Sequence, residues 1–284
     1  MPAEPRAATE PPAPTPYDRW ERTAWAGRGP AYADTYAVAC GYAAGPLLDA
    51  AGVGPGTRVL DVGTGPGTVA ALALERGARV TAVDAEPSMV ELAAARVPGA
   101  EVRAAILPDL PFPAGAFDAV IANFLINHVG RPAAGVAELA RVTRPGGRVA
   151  LSVWPQPAGA MQQLWYDVLA AAGLTMPADI PTVAEAENFA RTPDGFAALL
   201  RSAGLDRVDC RRLDWVLRVD PERWWRGSLH GFGALGRAMR PLPETARAAV
   251  KRHYDRLAAG HLAADGSLAL PTSALVATGM VPAG

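Results

Sequence analysis

The sequence predicts a doubly wound α/β fold, a mostly parallel sheet of seven strands with helices on both faces. Three observations carry this. Short apolar runs alternate with amphipathic ones between residues 58 and 153. The first turn between such runs is rich in glycine. Two further strand-like segments, 206–219 and 270–281, extend the strand pattern towards the end of the chain.

Taken in order, the first strand is Arg58–Val62, apolar apart from Asp61 near its end. Gly63, Gly65 and Gly67 follow at alternate positions, and 68–76 reads as a helix. Without Cβ atoms such a loop lets its backbone approach a ligand closely, with amides pointing outward at the helix start. The second strand, 79–83, ends at Asp84, and the helix Pro87–Arg96 follows. Glu101–Ala104 is a weak third strand. Phe117–Asn123 is the fourth, with a helix over 133–143 after it. The turn Pro145-Gly-Gly147 leads into a fifth strand over 148–153. Beyond Trp154 the regularity loosens. Helices are expected over 161–172 and 193–203, a long bent strand over 206–219, helices over 221–260, and a last strand over 270–281.

Residues 1–16, rich in Pro, Ala and Glu, lack the apolar core of a signal peptide and are expected to form a disordered tail. Residues 17–55 read as an aromatic-rich helical cap. Residues 56–220 with 266–284 read as the α/β core. Residues 221–265, falling between two strands, read as a helical insertion covering the substrate site. No apolar run approaches the length of a membrane span, so a soluble, cytoplasmic protein with no membrane partner is expected.

The 284 residues are 50% hydrophobic and carry a net charge of −1, which leaves no basic field to hold nucleic acid. Lys251 is the sole lysine, and the excess of arginine accompanies a wealth of Ala, Gly and Pro. That is the bias of a GC-rich genome rather than a phosphate-binding signature. Cys40 and Cys210 show neither disulfide nor metal spacing and read as small buried hydrophobes; no metal site is expected.

Two nucleotides compete for the glycine loop. Gly65-x-Gly67-x-x-Ala70 fits the dinucleotide fingerprint. Asp61-x-Gly63-x-Gly65-x-Gly67 resembles the first motif of the class I S-adenosylmethionine-dependent methyltransferases. A turn with no ligand is the third reading. Later segments favour the second. Asp84-Ala-Glu-Pro-Ser-Met89 is similar to that family's second motif. Leu110-Pro-Phe-Pro-Ala-Gly-Ala-Phe-Asp resembles its entry into the fourth strand, and Arg141-Val-Thr-Arg-Pro-Gly-Gly147 its turn before the fifth. Four motifs in order over about 100 residues are jointly specific.

The resemblance implies a Rossmann-like core that binds S-adenosylmethionine. It assigns Asp61, Gly63, Thr64, Gly65 and Gly67 to the cofactor loop. Asp84 and Ala85 fall at the ribose, Met89 and Phe124 flank the adenine, Ile106 and Leu107 stand at the adenine loop, and Asn123 ends the fourth strand. One departure stands out: where the family has an adenine-contacting acid, this chain has Ile106, with Asp109 the nearest carboxylate. Transfer from a sulfonium chiefly needs alignment of the reactants, and a base only where the acceptor loses a proton. His128 after the fourth strand and His230 in the insertion are the candidate bases. Tyr17, Trp25, Tyr32, Tyr36, Trp154 and Trp225 are candidates for an aromatic lining around a small, hydrophobic, quinone-like acceptor. Two alternatives stay open: the same cofactor pocket used for cyclisation or elimination, and a non-catalytic small-molecule binder. A homodimer is also left open.

Overall fold

The computed structural model describes residues 13–283. Most of the expected tail, residues 1–12, lies outside the described residues. Thr15, placed in the tail by sequence, instead starts the first helix. Its hydroxyl accepts from Asp18 N–H at 3.1 Å, and Asp18 Oδ2 accepts from Thr15 N–H at 2.8 Å. This reciprocal cap satisfies two of the donors a helix start leaves open.

Four helices precede the sheet: α1 (Pro16–Trp25), α2 (Gly29–Asp34), α3 (Tyr36–Gly41) and α4 (Ala44–Ala50). The alternating core follows as β1 (Arg58–Val62), α5 (Thr68–Glu75), β2 (Arg79–Asp84), α6 (Pro87–Arg96), β3 (Glu101–Ala104), β4 (Phe117–Asn123), α7 (Pro132–Val142) and β5 (Thr143–Val153). Then come α8 (Ala160–Ala171), α9 (Pro193–Ser202), β6 (Asp206–Val219), α10 (Pro221–Leu229), α11 (Gly233–Met239), α12 (Glu244–Ala258) and β7 (Leu268–Met280). β5 begins five residues earlier than expected. The Pro-Gly-Gly turn is itself extended, and Phe117 pairs with Thr143 before the register shifts.

The strands form one seven-stranded sheet in the order β3-β2-β1-β4-β5-β7-β6. β1 to β5 are mutually parallel, and β7 runs antiparallel between β5 and β6. Alternate side chains divide the core into two layers, as the pleat requires. Leu60, Val120 and Val149 face Val136 and Leu139 of α7 and Phe196 and Leu200 of α9. Val59, Ile121 and Ala150 face Leu47 and Leu48 of α4 and Val69 and Ala73 of α5.

A third apolar cluster forms away from the sheet's centre. The β6–β7 pair carries α10 to α12 between its strands, and α11 and α12 pack on α8. Trp165 of α8 stacks on Trp224 and Tyr254 at 5.6 and 5.4 Å between ring centres, and both of those side chains are fully buried. Among the described residues, no helix is long and apolar enough to cross a membrane.

Candidate functional site

The strand order reverses between β1 and β4. In open α/β sheets ligands bind at such a switch point, beyond the carboxyl ends of the strands. A cavity of about 1230 Å³ opens there. Its floor is formed by the ends of β1 (Val62, Gly63), β2 (Asp84) and β4 (Asn123, Phe124), with Trp154 just past β5. Its roof comes from α1 to α3 and from the segment around Phe232 and Arg237. The volume exceeds the ~300–1,000 Å³ usual for one ligand.

The three glycines of the loop differ in purpose. Gly65, at φ +53°, lines the cavity, and a Cβ there would meet nothing closer than Tyr32 at 3.5 Å. Gly63 also lines the cavity, but a Cβ would lie 2.7 Å from Leu125. Gly67, at φ +85°, does not reach the cavity; a Cβ would lie 2.6 Å from Val97, where α5 starts against α6. Its role is packing. Gly67→Ala is expected to cost about 1–3 kcal/mol of stability through the left-handed strain alone. Urea unfolding of the variant checks this, and a midpoint equal to the parent's would contradict it.

Two acids border the loop. Asp84 accepts from Gly65 N–H at 2.9 Å and from Glu86 N–H at 3.0 Å, so it fixes the loop while still facing the cavity. Burial lifts its carboxyl above the usual range, against the pull of those N–H groups. Asp61 is 1% exposed and lies beneath the loop. Thr64 donates its hydroxyl to Asp61 Oδ2 at 2.7 Å, while Oδ1 is buried with no partner. Burial pushes this carboxyl up to about 7, despite the Thr64 hydrogen bond.

The β4 end is held by a relay. Asn123 donates to the Cys40 carbonyl at 3.1 Å, Ser152 donates to Asn123 at 2.7 Å, and Phe124 N–H donates to Ser152 at 2.9 Å. This network holds Phe124 at φ +53°, a conformation bulky residues rarely adopt. Its ring consequently stacks on Trp154 with centres 4.0 Å apart.

On the far side of the cavity sits a residue the sequence reading missed. Glu21 of α1 is 4% exposed, and its Oε2 lies 2.9 Å from His128 Nδ1. The same oxygen accepts from the Trp25 indole N–H at 2.9 Å, and Arg237 reaches Oε1 at 3.7 Å. Burial alone would raise the Glu21 carboxyl, but His128 and Arg237 hold it down at about 2. An ionised carboxylate only accepts, so Nδ1 is the ring nitrogen that donates to Glu21, and Nε2 is left outside that bond. Trp25 stands edge-on to His128 at 5.4 Å and also contacts Tyr32 and Phe232. Hydrogen bonds anchor the roof at both ends: Gly29 N–H to Ser88 and Gly27 N–H to Glu86 beside the β2 end, Gly130 N–H to Asp18 beside His128.

Of the candidates named from sequence, Gly63, Gly65, Asp84, Ala85, Met89, Ile106, Leu107, Asn123 and Phe124 share the cavity wall with His128, Trp25, Tyr32, Tyr36 and Trp154. Six lie elsewhere. Asp61, Thr64 and Gly67 lie behind the loop. Tyr17 sits outside the wall and donates to the Asn127 carbonyl at 2.9 Å, bracing the His128 segment. Trp225 is buried among α10 and α12, 5.2 Å from Tyr254, because the insertion turns that face inward. His230 is exposed at the end of α10 and borders a separate small recess. Asp109 is exposed and does not replace the missing acid, so Ile106 and Leu107 present an apolar wall. The signal for Glu21 was present but weak: Tyr17, Glu21 and Trp25 recur every four residues along one face of α1. Among the described residues, no group of acids, His and Cys has metal-ligand grouping.

A family model described as "Methyltransferase domain" matches residues 60–151. The chain is 37% identical over 174 residues to a protein of Beutenbergia cavernae named demethylmenaquinone methyltransferase, covering 58% of this chain and 72% of that protein. Its fold is that of the YcgJ protein of Bacillus subtilis, with a TM-score of 0.54, 20% identity, and coverage of 86% of this chain and 99% of that one. The [4+2]-cyclase SpnF shares it too, with a TM-score of 0.52, 19% identity, and coverage of 86% and 82%.

Proposed function

Because this chain belongs to the S-adenosylmethionine-dependent methyltransferase family, we propose that it methylates a small, flat, largely apolar acceptor, quinone-like in shape. The observation that carries the reading is a single cavity that joins the Asp84 loop to His128 and its aromatic surround. The residues present fit the donor. Asp84 has free acceptor capacity towards a ribose diol, Gly65 leaves room for close approach of the backbone, and Met89, Ile106 and Leu107 offer an apolar seat for adenine. The bound donor supplies an electrophilic methyl group on sulfur.

The chain's residues do the rest. Trp25, Tyr32, Phe232 and the Phe124–Trp154 stack exclude water and orient the acceptor's ring. His128 Nε2 takes a proton from the acceptor's hydroxyl, and Glu21 orients the ring and stabilises the charge that forms. Tyr17 and Asp18 brace the segment that carries His128.

Incubation of the purified protein with S-adenosylmethionine and a panel of naphthoquinols, read by mass spectrometry for one added methyl, tests the function. No transfer to any hydroxylated aromatic would sink it. Ile106 in place of an acid is the observation that favours a second reading, in which the same pocket serves another reaction. S-Adenosylhomocysteine binding without methyl transfer would select that reading.

Asp61 makes a separate test of the donor. A carboxyl raised to about 7 is protonated in the folded protein at pH 6. Were the donor's ammonium group held at the glycine loop, it would favour the charged form. Binding of S-adenosylhomocysteine at pH 6 is therefore expected to release close to one proton, and Asp61→Asn to abolish the release. Calorimetry in buffers of different ionisation heat measures it. Without ligand the same shift makes stability fall as pH rises from about 4 to 7, because the unfolded chain gives up that proton first.

A further inference from the structure

Beside the main cavity lies a recess of about 170 Å³. Arg28, Ser228, His230, Gly231, Arg240 and Arg247 border it, and it shares Arg28, Gly231 and Arg240 with the main cavity. Three arginines meet at its rim. Neighbouring arginines have carboxylate partners: Arg223 and Arg226 pair with Asp34, and Arg237 with Glu21. Among the described residues, Arg28, Arg240 and Arg247 form no such pair. Burial and the nearby guanidiniums of Arg240 and Arg237 all weigh against the charge on Arg28.

Two buried polar atoms at the recess are also unsatisfied. Ser228 is 1% exposed, and its Oγ has no hydrogen-bond partner. Arg247 donates to the Arg240 carbonyl at 3.0 Å, yet its Nε is buried without a partner. Donors left bare in this way are costly, and three uncompensated cations around them repel one another. An oxyanion in the recess offsets the cations, since it only accepts and matches guanidinium geometry. The recess has room for one such group and none for a second flat molecule.

We propose that the recess is an anion subsite that holds the carboxylate, sulfate or phosphate group of a methyl acceptor whose apolar body lies in the main cavity. This rests on the methyltransferase reading above and narrows its acceptor to an amphipathic anion. The shared Arg28 and Arg240 tie the two spaces together, so the charged group fixes which edge of the ring faces His128.

Calorimetry with two probes of one shape tests the assignment: 2-naphthoate and its neutral counterpart 2-naphthamide, titrated into the full chain with and without S-adenosylhomocysteine. The naphthoate is expected to bind at least tenfold more tightly. Arg240→Gln, at an exposed side chain whose loss spares the core, should remove that preference and leave the affinities for the amide and for S-adenosylhomocysteine unchanged. Equal binding of the two probes, binding of neither, or a preference that survives both Arg240→Gln and Arg28→Gln overturns the proposal. Inorganic sulfate binding with no preference for naphthoate overturns it also, by making the recess a site for a free anion. Failure of S-adenosylhomocysteine to bind would bring down the methyltransferase reading separately, because the probe comparison is also made without it.

Discussion

His128→Ala is expected to lower kcat at least 100-fold while the affinity for S-adenosylhomocysteine stays within twofold of the parent's. The basis is the position of the ring between Glu21 and the cavity, with Nδ1 engaged and Nε2 free. General bases contribute typically ~10²–10⁴-fold, and 100-fold is roughly 2.7 kcal/mol of transition-state stabilisation. Glu21→Gln tests the partner. Glutamine keeps the shape but not the charge, so kcat should fall about tenfold or more with KM unchanged, and Glu21→Asp should recover part of it. A structural role alone would not divide kcat from KM in this way. Nitrogen NMR of the imidazole gives a second readout: the Nδ1–H tautomer should dominate in the parent and lose its dominance in Glu21→Gln. Full activity in His128→Ala would remove proton abstraction from the mechanism and leave alignment as the sole contribution.

Asp84→Ala is expected to weaken S-adenosylhomocysteine binding at least tenfold. In the proposed site Asp84 would accept two charge-assisted hydrogen bonds from the ribose diol, each typically ~1.5–3 kcal/mol, and both would be lost. The side chain also holds the Gly65 and Glu86 N–H groups, so part of the loss comes from a loosened loop. Asp84→Asn separates the two. It retains a carbonyl acceptor for one backbone N–H but no charge, and its affinity should fall nearly as far while thermal stability stays near the parent's. Calorimetry that finds an undiminished affinity in a folded Asp84→Ala would displace the nucleoside from this end of the sheet.

The parts of the site legible in the sequence are those whose signal is local. A β-branched run ending in an acid and followed by glycines identifies a strand end and a tight loop, and Gly65 and Asp84 lie where that pattern puts them. The same pattern could not divide the glycines by role. Gly67 is required by Val97, 30 positions further on, and not by a ligand. Glu21 left only a weak trace in the sequence because its meaning comes from His128, 107 positions away, and from Arg237 in another segment. The tryptophans misled for a related reason. Trp225 was read as lining the cleft, yet with Trp224 it fills the joint between the insertion and α8.

What the sequence by itself determined is the alternation of strands and helices, the seven-stranded sheet, and the glycine loop and strand-end acid at the mouth of the cleft. Each of these follows from periodicity and backbone permissiveness within a few residues. Only the tertiary structure decided which aromatic rings meet the cavity, which carboxylate pairs with the histidine, and where three arginines without carboxylate partners come together. A periodic pattern tells which face of an element is apolar or charged. What that face meets depends on long-range packing of the N-terminal cap and the insertion against the sheet, and no local pattern records it.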